Sequence, residues 1–275
     1  MKQTTWIAIL LLFAAGSCTN NTQDQSAEEG MAQFADDAEF KDAHDEPGAL
    51  AFEAQGEMIT FPTPDGKTGS AYALMAESET DKYLLVIHEW WGLNDHIKAE
   101  AERLYEQLDD VHVMALDMYD GKVATTRDQA GQYMKAMTEE RGKAIVRGAL
   151  NKAGGDARIG TIGWCFGGGW SLQASILAGE QGEACVIYYG MPVQKADALA
   201  PLKAPILGIF AEQDGWITPE VVNEFESLAQ ATGKSIQVHQ FDAEHAFANP
   251  SNPQYDAEAT QKAHALALAF LQEHL

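Results

Sequence analysis

The chain has 275 residues, three cysteines and a formal net charge of −23. That length suffices for one substantial core, and 46% apolar residues suit a globular enzyme rather than a disordered or fibrous chain. No Lys/Arg cluster offsets the negative field, which repels phosphate backbones and anionic membrane surfaces and so argues against nucleic acid as a partner.

The first 17 residues are expected to be a lipoprotein signal peptide. Lys2 supplies a positive start, and Trp6 to Ala15 is an apolar core too short to anchor stably across a bilayer. Ala15-Gly16-Ser17 then precede Cys18, the expected site of lipidation; an ordinary secretory signal cut nearby is the alternative. This reading places the protein in the cell envelope, on the periplasmic or surface side of a bacterial membrane. The lipid on Cys18 is then its only membrane contact. Residues 18–56 are polar, with eleven acids and one lysine between positions 19 and 57. They are expected to form a disordered, solvated tether, because so little apolar surface cannot offset the entropy of ordering.

The folded domain is placed at 57–275. Met58–Pro62 and Gly69–Met75 flank the turn Pro64-Asp65-Gly66, which predicts a leading antiparallel hairpin. Tyr83–Ile87 is a continuous apolar run suited to a strand covered on both faces. From there strand and helix patterns alternate: helix 95–108, strand 111–116, a helical region within 127–153, strand 158–163 and helix 168–179. Strands 184–189 and 205–211, helix 218–232, strand 235–241 and helix 255–273 complete the chain. The alternation predicts a doubly wound, mostly parallel sheet of α/β class, with chemistry at the carboxyl ends of its strands.

Gly163-Trp164-Cys165-Phe166-Gly167-Gly168 joins a buried strand to a helix. A reactive residue on such a turn, flanked by glycines two positions away, is the nucleophile elbow of the α/β-hydrolase fold, with cysteine in place of serine. Asp214 follows the strand ending near Phe210, and His245 follows the one ending at Phe241. Nucleophile, acid, histidine is the chain order of α/β-hydrolase triads. Cys165 would attack as thiolate, His245 would take and return its proton, and Asp214 would orient the imidazole. His239 and His264 compete with His245 but lie within a strand and a helix. The backbone N–H groups of Trp90 and Phe166 are the expected oxyanion donors. A Cys165–Cys185 disulfide is not expected, since about a strand length should separate the two. With no C-x-x-C, a thiol redox role is the least favoured reading, and the three cysteines offer no zinc spacing.

Four segments in matching order, Gly-x-Cys-x-Gly-Gly, His88-Glu89-Trp90-Trp91-Gly92-Leu93-Asn94, Gln213-Asp214-Gly215-Trp216-Ile217-Thr218-Pro219 and Glu244-His245-Ala246-Phe247, resemble the dienelactone hydrolase (carboxymethylenebutenolidase) family. The resemblance covers roughly residues 57–275. It implies a Cys165–Asp214–His245 triad, and it gives Glu89 a role as gate on the thiol, moving when substrate binds. The family's arginine four residues after the histidine, which holds a substrate carboxylate, is matched here by Asn249, a donor without charge. Arg127, Arg141 and Arg147 are the candidates to replace it. Trp91, Trp164, Trp216, Phe247 and Asn249 are the candidate substrate-binding residues. The expectation is a monomeric hydrolase of small esters or lactones that works through an acyl-cysteine, with neither metal nor organic cofactor. An esterase acting on acylated surface carbohydrate, or a non-catalytic surface binding protein with this fold, are the alternatives.

Overall fold

A computed structural model describes residues 30–275. One eight-stranded sheet runs through it, in the order β1-β2-β4-β3-β5-β6-β7-β8. β1 (Glu57–Pro62) and β2 (Thr68–Leu74) form the predicted hairpin, and β2 pairs antiparallel with β4 (His112–Leu116). β3 (Lys82–Ile87), β5 (Arg158–Trp164), β6 (Gly182–Tyr188), β7 (Ile206–Ala211) and β8 (Ile236–Phe241) continue the sheet in parallel. The central strands are buried on both faces, as their unbroken apolar runs require: Leu84 to Ile87 and Ala184 to Ile187 are fully enclosed. Chain order reverses at β3, with β4 on one side and β5 on the other. A crevice opens at such a switch point, outside the carboxyl ends of the strands. The loops after β3 and β5 that carry Glu89 and Cys165 both leave from it.

The helices follow the predicted positions closely, with one division. α2 (Asp95–Gln107) is capped by Asn94, whose side chain accepts from the Ile97 N–H. The helical region after β4 is two helices, α3 (Arg127–Ala136) and α4 (Glu139–Ala153), because Met137 leaves helical geometry and Thr138 caps a new start. α5 (Phe166–Ala178) begins two residues earlier than predicted, directly after Cys165. α6 (Ala196–Leu199), α7 (Pro219–Ala231) and α8 (Ala257–His274) complete the domain.

The disordered tether expected over residues 18–56 needs correction for its described part. Gly30–Phe34 is a 3-10 helix, and α1 (Ala38–Asp42) follows, capped by Asp37. This strap lies against the domain and buries Met31, Ala35, Phe40 and His44. The low apolar content misled because a few large groups suffice when each finds a deep partner. The Phe40 ring packs edge-on against Trp90 and Trp216, both with centroids at 5.2 Å. Several of the strap's acids are also paired. Arg127 bonds the His44 carbonyl at 2.6 Å and Asp45 at 2.7 Å, while Lys135 pairs with Asp36. Residues 1–29, including the predicted signal peptide and Cys18, lie outside the described residues. Among the described residues no helix is long and apolar enough to cross a membrane.

Candidate active site

The elbow places Cys165 at φ +53°, ψ −116°, geometry that costs a non-glycine residue about 1–3 kcal/mol. Its surroundings hold it there. The Cys165 N–H donates to Tyr188 O at 3.0 Å, and Gly168 N–H donates to Cys165 O at 3.0 Å. The flanking glycines are steric necessities. A Cβ on Gly163 would sit 2.1 Å from Gly167 O, and one on Gly167 would sit 2.2 Å from Ile87 O. Strand and helix therefore touch through bare backbone, and the side chain between them is presented at the strand's end.

Two more loops converge on that point. The loop after β7 brings Asp214, whose Oδ1 accepts from the Trp216 and Ile217 N–H groups at 2.8 and 2.9 Å. The loop after β8 brings His245, whose Nδ1 lies 2.6 Å from Asp214 Oδ2. All three side chains are buried, and Cys165 Sγ lies within 4.8 Å of a His245 ring nitrogen. Burial alone would raise the Asp214 pKa, but His245 and the two backbone donors outweigh it and hold the carboxyl below its usual range. For His245 burial works against the charged ring. The Asp214 carboxylate and the Cys165 sulfur overcome it and hold the imidazole well above its ordinary value. Burial pushes the Cys165 thiol up, with His245 opposing.

The loop after β3 supplies Glu89 and Trp90. Its shape depends on His88, a fully buried residue to which sequence reasoning gave no task. His88 Nδ1 donates to the Glu89 carbonyl at 2.5 Å, and its Nε2 accepts from the Met118 N–H at 3.1 Å, so the loop is pinned to the turn after β4. Burial lowers its pKa to about 4, which keeps the ring neutral and both bonds intact at neutral pH. The Phe166 N–H, at the first turn of α5, has no intrahelical acceptor, and the Trp90 N–H donates to no acceptor among the described residues.

Glu89 is held by partners the sequence did not pair with it. Asn249 Nδ2 donates to its Oε2 at 2.6 Å, and the Tyr189 hydroxyl stands 3.5 Å from its Oε1. The residue at the arginine position thus contacts the glutamate rather than lying free in the pocket. Burial raises the Glu89 pKa to about 7, partly offset by His245 and Asn249. The free carboxyl titrates near 4.5, so the folded state binds more protons between about pH 4.5 and 7. The buried acid's stability is therefore complete below that window and falls as pH rises through it, by up to about 3 kcal/mol. Glu89→Gln removes this titration while keeping an acceptor for Asn249. The variant should exceed wild type in urea stability above neutrality and converge with it near about pH 4. A difference that stays flat with pH would contradict the assignment.

A cavity of about 430 Å³ adjoins the site, lined by Glu89, Trp91, Trp164, Tyr188, Arg103 and Asn249 among others. Of the candidate substrate-binding residues, Trp91, Trp164 and Asn249 line this cavity. Two aromatic candidates, Phe247 and Trp216, do not line it. Phe247 is fully buried against Tyr189 and Phe241 and belongs to the core, and Trp216 is covered by Phe40 of the strap. None of Arg127, Arg141 and Arg147 lines the cavity. Arg127 binds the strap and Arg141 is locked between Asp65 and Asp120, while Arg147 is exposed. The arginine that does line it, Arg103, is committed to Glu100 by two hydrogen bonds of 2.8 and 2.7 Å.

The dienelactone hydrolase family model matches residues 70–275. The chain belongs to the dienelactone hydrolase family. Protein usf of Aquifex pyrophilus is 31% identical over 208 residues, covering 70% of this chain and 88% of that protein. A putative carboxymethylenebutenolidase of Aquifex aeolicus is 28% identical over 206 residues, covering 70% of this chain and 88% of its own length. Among solved structures, a putative dienelactone hydrolase from Klebsiella pneumoniae aligns with a TM-score of 0.67 at 19% identity, covering 80% of this chain and 99% of that one. The fold is the α/β-hydrolase fold and the protein is a carboxylic ester hydrolase. The family match begins within β2, so the strap lies outside it. That explains why Phe40 and His44, both against His245, had no motif to signal them. Tyr189, at φ +33° after β6, likewise matched no quoted motif.

Proposed function

We propose that the enzyme hydrolyses a small, uncharged ester or lactone through an acyl-cysteine at Cys165. The observation that carries this reading is the elbow. A cysteine in strained backbone faces a buried histidine, and that histidine is bonded at 2.6 Å to a carboxylate from the next strand end. His245 shuttles the proton, Asp214 fixes the ring, and the Phe166 and Trp90 N–H groups receive the developing oxyanion. Attack forms the carbon–sulfur bond of a thioester and breaks the acyl C–O bond. The alcohol oxygen is protonated by His245 and leaves from an ester or stays tethered to the acyl chain of an opened lactone. Water activated by the same histidine then frees the acid and restores the thiol. Glu89, poised near neutrality by burial, gates the thiol: displaced by substrate, it lets thiolate form.

The preference for an uncharged acyl group rests on the cavity. Asn249 stands where the family has a cation and is spent on Glu89, and Arg103 is spent on Glu100. A substrate carboxylate entering here would lie beside Glu89 with no free guanidinium to neutralise it. On matched lactones with and without a carboxylate, kcat/KM should favour the neutral member at least about 10-fold. Preference for the carboxylate-bearing lactone would overturn this choice of substrate. The signal-peptide reading makes the enzyme a lipid-anchored protein of the cell envelope, attached through Cys18. Labelling with a radioactive fatty acid, lost in Cys18→Ala, tests that placement.

A further inference from the structure

Three potential ligand atoms meet at the covered face of the site, from parts of the chain far apart in sequence. His44 of the strap, His245 and Cys165 are buried, and their donor atoms all lie within 4.8 Å of one another. The two imidazoles are set in the same way. His245 Nδ1 is bonded to Asp214 Oδ2 at 2.6 Å, and His44 Nδ1 to the Phe40 carbonyl at 2.6 Å. Each ring therefore has its Nδ1–H committed to an oxygen acceptor and its Nε2 turned inward. His245 Nε2 faces the Cys165 sulfur, whereas His44 Nε2 has no hydrogen-bond partner. A buried imidazole nitrogen left unpartnered, as His44 Nε2 is, is costly unless something at this junction satisfies it.

A carboxylate or carbonyl behind each Nδ1 is the outer-shell arrangement that orients histidine ligands on a metal ion. The donor set, two imidazole nitrogens and one thiolate sulfur, suits a borderline-soft divalent cation. At zinc bond lengths of about 2.0 Å to nitrogen and 2.3 Å to sulfur, tetrahedral ligands stand about 3.3–3.6 Å apart. The present spacing needs a contraction of at most about 1.5 Å, within reach of small side-chain rotations. Phe40, Trp90 and Trp216 wall the position.

We propose that His44, Cys165 and His245 form a zinc-class cation site in which the strap supplies the third ligand and the bound ion caps the nucleophile. Binding replaces the thiol proton of Cys165, and any proton on His245 Nε2, with bonds to the metal, and these protons leave to solvent. The ion is neither oxidised nor reduced. Its fourth position remains for water, and while the ion is present the sulfur cannot attack a carbonyl. If Cys165 is the nucleophile, as proposed above, the site is thus an inhibitory one, and the strap decides its affinity.

The test is equilibrium dialysis of the full chain against zinc chloride, with metal content read by emission spectroscopy. Cobalt(II) substitution reports the thiolate bond through its charge-transfer absorption. Wild type should bind one equivalent. Cys165→Ala should lose the charge-transfer band, and His44→Ala should bind at least about 10-fold more weakly. Near-ultraviolet dichroism, to which Trp90 and Trp216 under Phe40 contribute, shows whether the strap still seats. If His44→Ala unseats it, His44→Gln, which keeps a side chain able to bond the Phe40 carbonyl, is read instead. Absence of bound zinc in wild type, or equal affinity with and without His44, would overturn the proposal. None of these readouts is turnover, so a failure of the hydrolase reading would be distinguishable from a failure of this one.

Discussion

Cys165→Ala should lower kcat/KM for a small aryl ester or lactone by about 10⁴-fold or more, while far-ultraviolet dichroism stays that of wild type. The size of the effect follows from the site's division of labour. His245 and Asp214 would remain in place, held by the 2.6 Å bond between them and by the Trp216 and Ile217 N–H groups, but they would have no atom to activate. Residual turnover would come only from backbone donors and binding. The fold should tolerate the change. Alanine keeps the same strained backbone, and the void left by one buried sulfur costs about 1 kcal/mol. Turnover within about tenfold of wild type would remove Cys165 from the mechanism.

Asp214→Asn should lower kcat by about 10³–10⁴-fold with little change in KM. Asparagine fits the same space, and its Oδ1 can still accept the two backbone N–H groups that bond Asp214. What changes is the other end. An amide NH₂ facing His245 Nδ1 makes that nitrogen an acceptor and moves the ring proton to Nε2, the atom that must receive the thiol proton. The wrong tautomer is then the stable one. The loss of the carboxylate should also bring the His245 pKa down, since Asp214 is what overcomes the effect of burial on the imidazole. A histidine titration followed by NMR should show this fall in the variant. An unchanged titration alongside unchanged kcat would mean that the carboxylate does not act through the ring.

The domain was largely legible in the sequence because its signals are local. Unbroken apolar runs such as Leu84 to Ile87 can only be strands buried on both faces, and Gly163 and Gly167 mark a turn that admits no side chain. Asp214 and His245 were placed by their position just after strands, which topology alone carries to the sheet's carboxyl edge. What stayed hidden depends on long-range pairing. The strap looked like a solvated tether because its composition is acidic and its apolar residues are few. Its order comes from Phe40 finding Trp90 and Trp216, and from Arg127 and Lys135 meeting its acids. The exchange at Asn249 could be seen, but not its contact with Glu89 across 160 positions. The trio of His44, Cys165 and His245 has no sequence spacing at all, so rules built on local metal motifs passed over it.

The acyl-cysteine is the claim on which the rest depends, and it can be weighed directly. The full chain is mixed with an activated aryl acetate, quenched in acid within the first turnover, and digested for mass spectrometry. The expected result is one acetyl group on the peptide carrying Cys165 in wild type. It should accumulate in step with the burst of released phenol and be absent in Cys165→Ala. A burst of phenol with no acyl group on Cys165, or with the label on another residue, would contradict the account.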